Sequence, residues 1–271
     1  MQALYDRKYY LSDCEGHREF IRTHGRKLSR RLNKCNQLLA ARSGEHIADL
    51  GCGRGEIALH AAACGAHVVA VDASNAALQL LDEATQMWRE SNVLPQNLSG
   101  SVKRVTASLE KIPIEDSTMN AVVMSDVIEH IPRANIGDVL AECYRILKPG
   151  GRIIIHTQPN RILVDWTVPV LSKISWLWGT RLPRDLREEM TPGARGEYHP
   201  SEQSRRELAG WLRRAGFGIE QLWLEGSYPI HRIFGNSGWK QLLLPLFRRQ
   251  RWIKEIFASQ LFAVAHKSLK N

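Results

Sequence analysis

The 271-residue chain predicts an α/β protein built on a doubly wound, mostly parallel sheet. Three observations carry the prediction. Strand and helix patterns alternate from residue 45 onward, and a glycine-rich loop, Asp49-Leu50-Gly51-Cys52-Gly53-Arg54-Gly55, joins the first strand to the first helix of that run. An acid, Asp72, ends the strand that follows.

Ahead of the alternation, residues 17–40 carry Phe20, Ile21, Leu28, Leu32, Cys35 and Leu39 at roughly helical spacing. Arg18, Arg22, Arg26, Lys27, Arg30, Arg31 and Lys34 fall largely between them, so the pattern predicts one amphipathic helix. Its basic side reads as a solvated face, with a phosphate-bearing partner as the alternative. The core then runs as strand 46–50, helix 56–64, strand 67–72 and helix 75–90, whose stripe of Ala77, Leu80, Leu81, Ala84, Met87 and Trp88 is accounted for by core packing. Strands follow at 102–106, 121–125 and 152–157, and the helix between the last two is stopped by Lys148-Pro149-Gly150-Gly151. Ser204 and Glu207 form a capping box opening a helix with Leu208, Trp211, Leu212 and Ala215, closed by Gly216. Strand patterns at 219–224 and 261–266 complete the set of seven.

This division gives an amino-terminal helical arm or lid (1–44), a cofactor-binding core (45–160), an insertion (161–199) and the rest of the core with a basic helical insert (200–271). Insertions at the carboxyl edge of a parallel sheet shape the ligand site, so 161–199, with Trp166, Trp176 and Trp178, reads as a substrate cap. The stretch 239–257 sets Trp239 and Trp252 beside Arg248, Arg249, Arg251 and Lys254. It reads as a partly buried helical insert, or alternatively as a peripheral contact with an anionic membrane.

Composition narrows the functional classes. With 44% apolar residues the chain can fill a sizeable core, and its charge of +9 favours phosphates, anionic lipid heads or acidic substrates. No nucleic-acid recognition motif accompanies the charge, so nucleic acid is not the expected partner. Cys14, Cys35, Cys52, Cys64 and Cys143 form an odd set without a Cys-x-x-Cys pair, so neither disulfides nor a metal centre is expected. The first residues lack an apolar leader and no stretch is apolar enough to span a bilayer, which places the protein in the cytoplasm, with peripheral membrane contact open.

Glycines at 51, 53 and 55 let a ligand approach the backbone closely. Position 56 is Glu, and a carboxylate at the helix start would repel a pyrophosphate. The loop therefore argues for a nucleoside cofactor without phosphates and against a nicotinamide oxidoreductase. Asp72 at the end of the next strand can accept from both hydroxyls of a ribose.

These residues resemble the class I S-adenosylmethionine-dependent methyltransferases, within the small-molecule group that includes the ubiquinone-pathway O-methyltransferases. The resemblance covers about residues 45–160 and extends loosely to 225. It implies a Rossmann-like sheet whose last strand is antiparallel, S-adenosyl-L-methionine as cofactor and S-adenosyl-L-homocysteine as product. It further implies that Asp49, Gly51, Cys52, Gly53 and Gly55 hold the methionine part, Asp72 and Ala73 the ribose, and Ser108 and the Leu109 backbone the adenine. Ser125-Asp126-Val127-Ile128-Glu129-His130 matches the segment after the fourth strand that borders the cofactor, and Leu147-Lys148-Pro149-Gly150-Gly151 matches the turn before the fifth. By the same resemblance Tyr9, Tyr10 and Asp13 form a lid, with an ordered surface arm as the alternative.

Methyl transfer from a sulfonium is an in-line displacement in which positioning does most of the work, and a base is needed only for an acceptor that must lose a proton. His130 and His199 are the candidate bases; a structural role at the strand end is the alternative for His130. His156 alternates with core residues and reads rather as a buried, satisfied histidine. Asn160 orients the acceptor or serves a turn. Tyr10, Asp13, His156, Asn160, Trp166 and Tyr198 complete the candidate substrate contacts. The expected reaction is methylation of a small-molecule oxygen, a sugar hydroxyl of a glycoside or glycolipid ahead of a phenol. A nucleic-acid base methyltransferase is an alternative, disfavoured because Ser125-Asp126-Val127-Ile128 lacks an Asn or Asp followed by two prolines and an aromatic residue. A non-catalytic cofactor-binding protein is the other.

Overall fold

The computed structural model describes residues 5–91, 100–178, 181–187, 200–226 and 251–269. A wide helical turn at Tyr9–Asp13 precedes α1 (His17–Thr23) and α2 (Arg30–Leu39). The core follows as β1 (His46–Leu50), α3 (Glu56–Ala63), β2 (His67–Asp72), α4 (Asn75–Glu90), β3 (Ser101–Thr106), β4 (Met119–Ser125), α5 (Ile136–Ile146) and β5 (Leu147–Thr157). Then come α6 (Val168–Ser172), α7 (Arg205–Arg214), β6 (Phe217–Glu225), α8 (Arg251–Phe257) and β7 (Gln260–Lys267). The seven strands form one sheet in the order β3-β2-β1-β4-β5-β7-β6. β1 to β5 are mutually parallel where they pair, and β7 runs antiparallel to β5 and β6. All seven expected strands are present, the last antiparallel as the resemblance implies.

Strand alternation sorts side chains onto two apolar layers. Ala48, Leu50, Val122, Met124, Ile153 and Ile155 pack with α5 and α7 on one face. Ile47, Val123 and Ile154 pack with α2, α3 and α4 on the other. Asp49 therefore lies on the α3 face beside Ile47, and His156 on the same face beside Ile154. β1 and β4 are neighbours although β2 and β3 intervene in sequence, so the chain switches direction across the sheet between them. A doubly wound sheet opens its ligand crevice at the carboxyl ends of such strands.

Two expected elements differ. The amphipathic pattern at 17–40 is two helices, because His24 (φ +49°) and Gly25 (φ +77°) take left-handed backbone and Ser29 starts a new helix by accepting the Leu32 N–H at 3.3 Å. The Lys148-Pro149-Gly150-Gly151 turn is absorbed into β5 as an irregularity: Met119 pairs with Leu147, and pairing resumes at Ala121 with Arg152. The capping box is present, Ser204 Oγ accepting from Glu207 N and the Glu207 carboxylate from Ser204 N. Among the described residues no helix is long and apolar enough to cross a membrane.

Candidate active site

The carboxyl ends of β1, β2 and β4 open onto a cavity of about 1030 Å³. That is room for a nucleoside-amino-acid cofactor and a small acceptor together. Its floor is the glycine loop. Gly51, Gly53 and Gly55 have φ of +67°, +52° and +78°, a region glycine enters without steric cost. Two of these positions are also too crowded for a side chain: a Cβ on Gly51 would lie 2.5 Å from Val127 Cγ2, and one on Gly55 2.2 Å from Leu81 Cδ1. The loop thus lies flat between the segment after β4 and helix α4, with Gly53 turned toward the cavity.

Asp72 closes β2 at the cavity wall. One carboxylate oxygen accepts the Gly53 N–H at 2.9 Å and the other the Ser74 N–H at 2.8 Å. Burial raises the Asp72 carboxyl above its ordinary range against these donors. Each oxygen keeps a second lone pair, so a diol can still be received. Cys52, Ala73, Ser108, Leu109 and Ser125 line the same cavity, as do Tyr10, Asp13 and His130. Glu110 lies beside Ser108, its carboxyl lowered by hydrogen bonds from Ser108 and Asn135. Burial pushes the Cys52 thiol well up and that of Cys14 to about 11, which removes thiolate chemistry from the cavity.

Asp49 does not line the cavity wall. It is buried under the loop, accepts the Ala58 N–H of α3, and burial pushes its carboxyl up to about 7. Its Oδ2 is a buried acceptor without a partner. Asp49 therefore shapes the loop from beneath rather than meeting the ligand. The glycine loop and the paired Asp72 together fit S-adenosylmethionine.

The arm forms one side of the cavity. Tyr5, Tyr9, Tyr10, Asp13 and Glu15 border the cavity, and none of the described residues beyond Gln158 does. The arm is fastened at separate points. Ser74 Oγ donates to the Tyr5 carbonyl at 2.7 Å, Arg7 pairs with Glu83 at 2.7 Å, and Arg54 NH1 and NH2 each donate at 2.8 Å to the Tyr10 and Glu15 carbonyls. Arg54 also pairs with Glu56, Nε to Oε2 at 3.2 Å and NH2 to Oε1 at 3.0 Å. The acid at the start of α3 is thus neutralised within the protein. The case against a phosphate ligand at Glu56 then rests on the lost helix-start site rather than on free negative charge.

A second polar group sits between β4, β5 and α2. Asp126, at φ +55°, forms an ion pair with Arg31, its Oδ2 2.7 Å from Nε, and stands 3.0 Å from His156 Nδ1. Burial alone would raise the Asp126 carboxyl, but Arg31 and His156 outweigh it and hold the group below the ordinary range. Glu129, buried beside Asp126, is driven well above the carboxylate range and is held by Thr157 Oγ1 at 2.9 Å and Gln158 N at 3.3 Å. Arg31 also pairs with Glu15 of the arm. Sequence reasoning placed Arg31 on a solvated face. The missed signal is its position on the same stripe as Leu28, Leu32 and Cys35.

Three of the candidate substrate contacts do not line the cavity. His156 is wholly buried between Asp126 and Phe262, so it supports the site from behind. Asn160 is wholly buried too, its Nδ2 donating to the Glu255 and Ala258 carbonyls at 2.9 and 3.2 Å; it joins the end of β5 to the start of β7. Trp166 faces outward, away from the cavity. Tyr198 and His199 lie outside the described residues, as does 239–250 of the basic insert. His130 reaches the cavity, its Nδ1 3.0 Å from the Tyr5 hydroxyl and its ring edge-on to Tyr5 at a centroid distance of 5.7 Å. Sequence reasoning named neither Tyr5 nor Glu15.

Comparison with known proteins adds four findings. A family model described as a methyltransferase domain matches residues 48–155. The chain is 30% identical over 202 residues to the demethylmenaquinone methyltransferase of Clavibacter sepedonicus, covering 70% of this chain and 73% of that one. It is 28% identical over 180 residues to the ubiquinone biosynthesis O-methyltransferase of Xylella fastidiosa, of whose length it spans 63%. Among solved structures, a SAM-dependent methyltransferase from Methanosarcina mazei aligns with a TM-score of 0.59 at 19% identity, over 90% of this chain and all of that one.

Proposed function

The chain belongs to the class I S-adenosylmethionine-dependent methyltransferases, and on that footing we propose that it methylates a hydroxylated aromatic small molecule of the kind from which quinones are made. The methyl goes to the hydroxyl oxygen or to the adjoining ring carbon. The observation that carries this reading is the composition of one cavity: the glycine loop and Asp72 on its floor, His130 and the rings of Tyr5, Tyr9 and Tyr10 above. An aromatic wall favours a flat acceptor. The names of the Clavibacter and Xylella relatives point the same way. A sugar acceptor is favoured by the polar, tryptophan-containing stretch 161–199, but there Trp166 and Trp176 face outward.

When bound, S-adenosylmethionine would supply an electrophilic methyl that an in-line nucleophile takes, the sulfur leaving with the electron pair of the broken bond as neutral S-adenosylhomocysteine. Gly51 to Gly55 and Asp72 fix the cofactor's two ends. His130 takes the phenolic proton, and the resulting negative charge resides on oxygen and on the neighbouring ring carbon, so one base opens both O- and C-methylation; in the second case the methylated carbon then releases its own hydrogen as a proton, which restores the aromatic ring. The arm excludes water from the junction.

Two measurements test this. Asp72→Ala leaves the Gly53 and Ser74 N–H groups without their acceptor and removes the ribose partner, so cofactor Kd by titration calorimetry should weaken on the order of 10- to 100-fold. An unchanged Kd removes Asp72 from the cofactor site. S-adenosylhomocysteine release should appear with catechols or hydroquinones and not with glycosides. Tight cofactor binding without turnover on any ring acceptor would instead mark a non-catalytic binder, and turnover on glycosides alone would end the aromatic reading.

A further inference from the structure

One buried acid at the cavity, Glu129, has no cation to itself among the described residues. Glu56 is paired with Arg54, while Arg31 and His156 are engaged by Asp126. Glu129 is 1% exposed and borders the cavity from the 3₁₀ turn Ile128–His130, immediately before the base. Such a turn has about three residues per revolution, so neighbouring side chains diverge. His130 reaches toward Tyr5, and Glu129 turns to the end of β5.

There the side chain accepts at both oxygens, from Thr157 Oγ1 at 2.9 Å and from Gln158 N at 3.3 Å. The Glu129 carbonyl accepts as well, from Ser201 N at 3.1 Å, in the stretch that leads into α7. Thr157 and Ser201 are themselves buried. One residue thus hooks the turn to two separate elements, and its neighbour is His130. Burial beside Asp126 keeps the carboxyl in its neutral form, so the hook adds no second negative charge there. A base acts only within hydrogen-bond reach of its proton, and a displacement on the order of 1 Å can cost about 10²-fold in rate. We propose that Glu129 is the positioning residue of His130, fixing the imidazole at the acceptor oxygen by tying its turn to the end of β5 and to the entry of α7. This role rests on His130 being the base.

The test compares Glu129→Ala with Glu129→Gln in the full chain, on a neutral phenol and on an already ionised nitrophenol. Glu129→Ala should lower kcat on the neutral phenol on the order of 10- to 100-fold, leaving the ionised acceptor and the cofactor Kd nearly unchanged. Glutamine matches a neutral carboxyl in shape and keeps one acceptor, and the Thr157 hydroxyl can turn to accept from its amide, so Glu129→Gln should restore the rate. In a His130→Ala background, Glu129→Ala should cost nothing further. Thr157→Val removes one hook at nearly constant shape; it should show the same division between acceptors, on the order of tenfold, even if the alanine variant does not fold. Equal losses on both acceptors, or a further loss in the His130→Ala background, would overturn the proposal and leave His130 as the base. Wild type without turnover on either phenol, or His130→Ala without effect on the neutral one, would overturn the base reading first and this role with it.

Discussion

Arg54→Met should lower the unfolding free energy by about 3–5 kcal/mol, the usual cost of removing one partner of a buried ion pair. Arg54 and Glu56 are both buried, and the guanidinium satisfies both Glu56 oxygens and the carbonyls of Tyr10 and Glu15 at once. Methionine keeps much of the stem against Phe20, over whose ring the guanidinium carbon lies at 4.9 Å, while it strands a carboxylate and two carbonyls. Urea unfolding measures the loss. Glu56→Gln added to Arg54→Met should recover part of it, because the buried charge is then gone. The arm should also loosen, read as faster proteolysis before residue 16 and a weaker cofactor Kd. A loss below about 1 kcal/mol, the range of an exposed ion pair, would refute the role assigned to Arg54.

Arg54 also shows where the sequence becomes hard to read. The strands and α4 were legible because alternation and a helical stripe are local signals, and the glycine loop announced its place between strand and helix. Asp72 was legible for the same reason, since the end of β2 is defined by the pattern around it. Arg31 and Arg54 were not, because an arginine's burial depends on partners far away: Asp126 for Arg31, and the carbonyls of Tyr10 and Glu15 for Arg54. His156 and Asn160 were legible only in part. Their nearness to the end of β5 was correctly read, but alternation says which face a residue takes and not what covers that face. Here α2 brings Arg31 up to the Asp126–His156 pair, and the turn before β7 covers Asn160. The break at Gly25 stayed hidden in a basic stretch whose apolar spacing runs through it unbroken. Of the two segments expected to cover the cavity, the arm and 161–199, only the arm borders it among the described residues.

His130→Ala should reduce kcat by about 10²- to 10⁴-fold, the range for a lost general base, equivalent to about 3–5 kcal/mol of barrier. Cofactor Kd should hardly move, because the ribose and methionine contacts assigned to Asp72 and the glycine loop are untouched. A merely structural histidine would predict the opposite division, with weakened binding and lowered melting temperature accompanying the rate. The decisive readout is the acceptor's own acidity. A phenol that is mostly neutral at assay pH needs its proton removed and should show the full loss. A nitrophenol-type acceptor, already ionised, needs no base and should show little. Raising the pH through the phenol's ionisation should restore the variant in the same way, since hydroxide then does in solution what the imidazole does in the cavity. Tyr5→Phe removes the hydroxyl 3.0 Å from Nδ1 while keeping the ring, so it should cost on the order of tenfold, about the worth of one hydrogen bond that orients the imidazole. An equal loss on neutral and ionised acceptors would show that His130 holds the segment after β4 in place and that the proton leaves by another route.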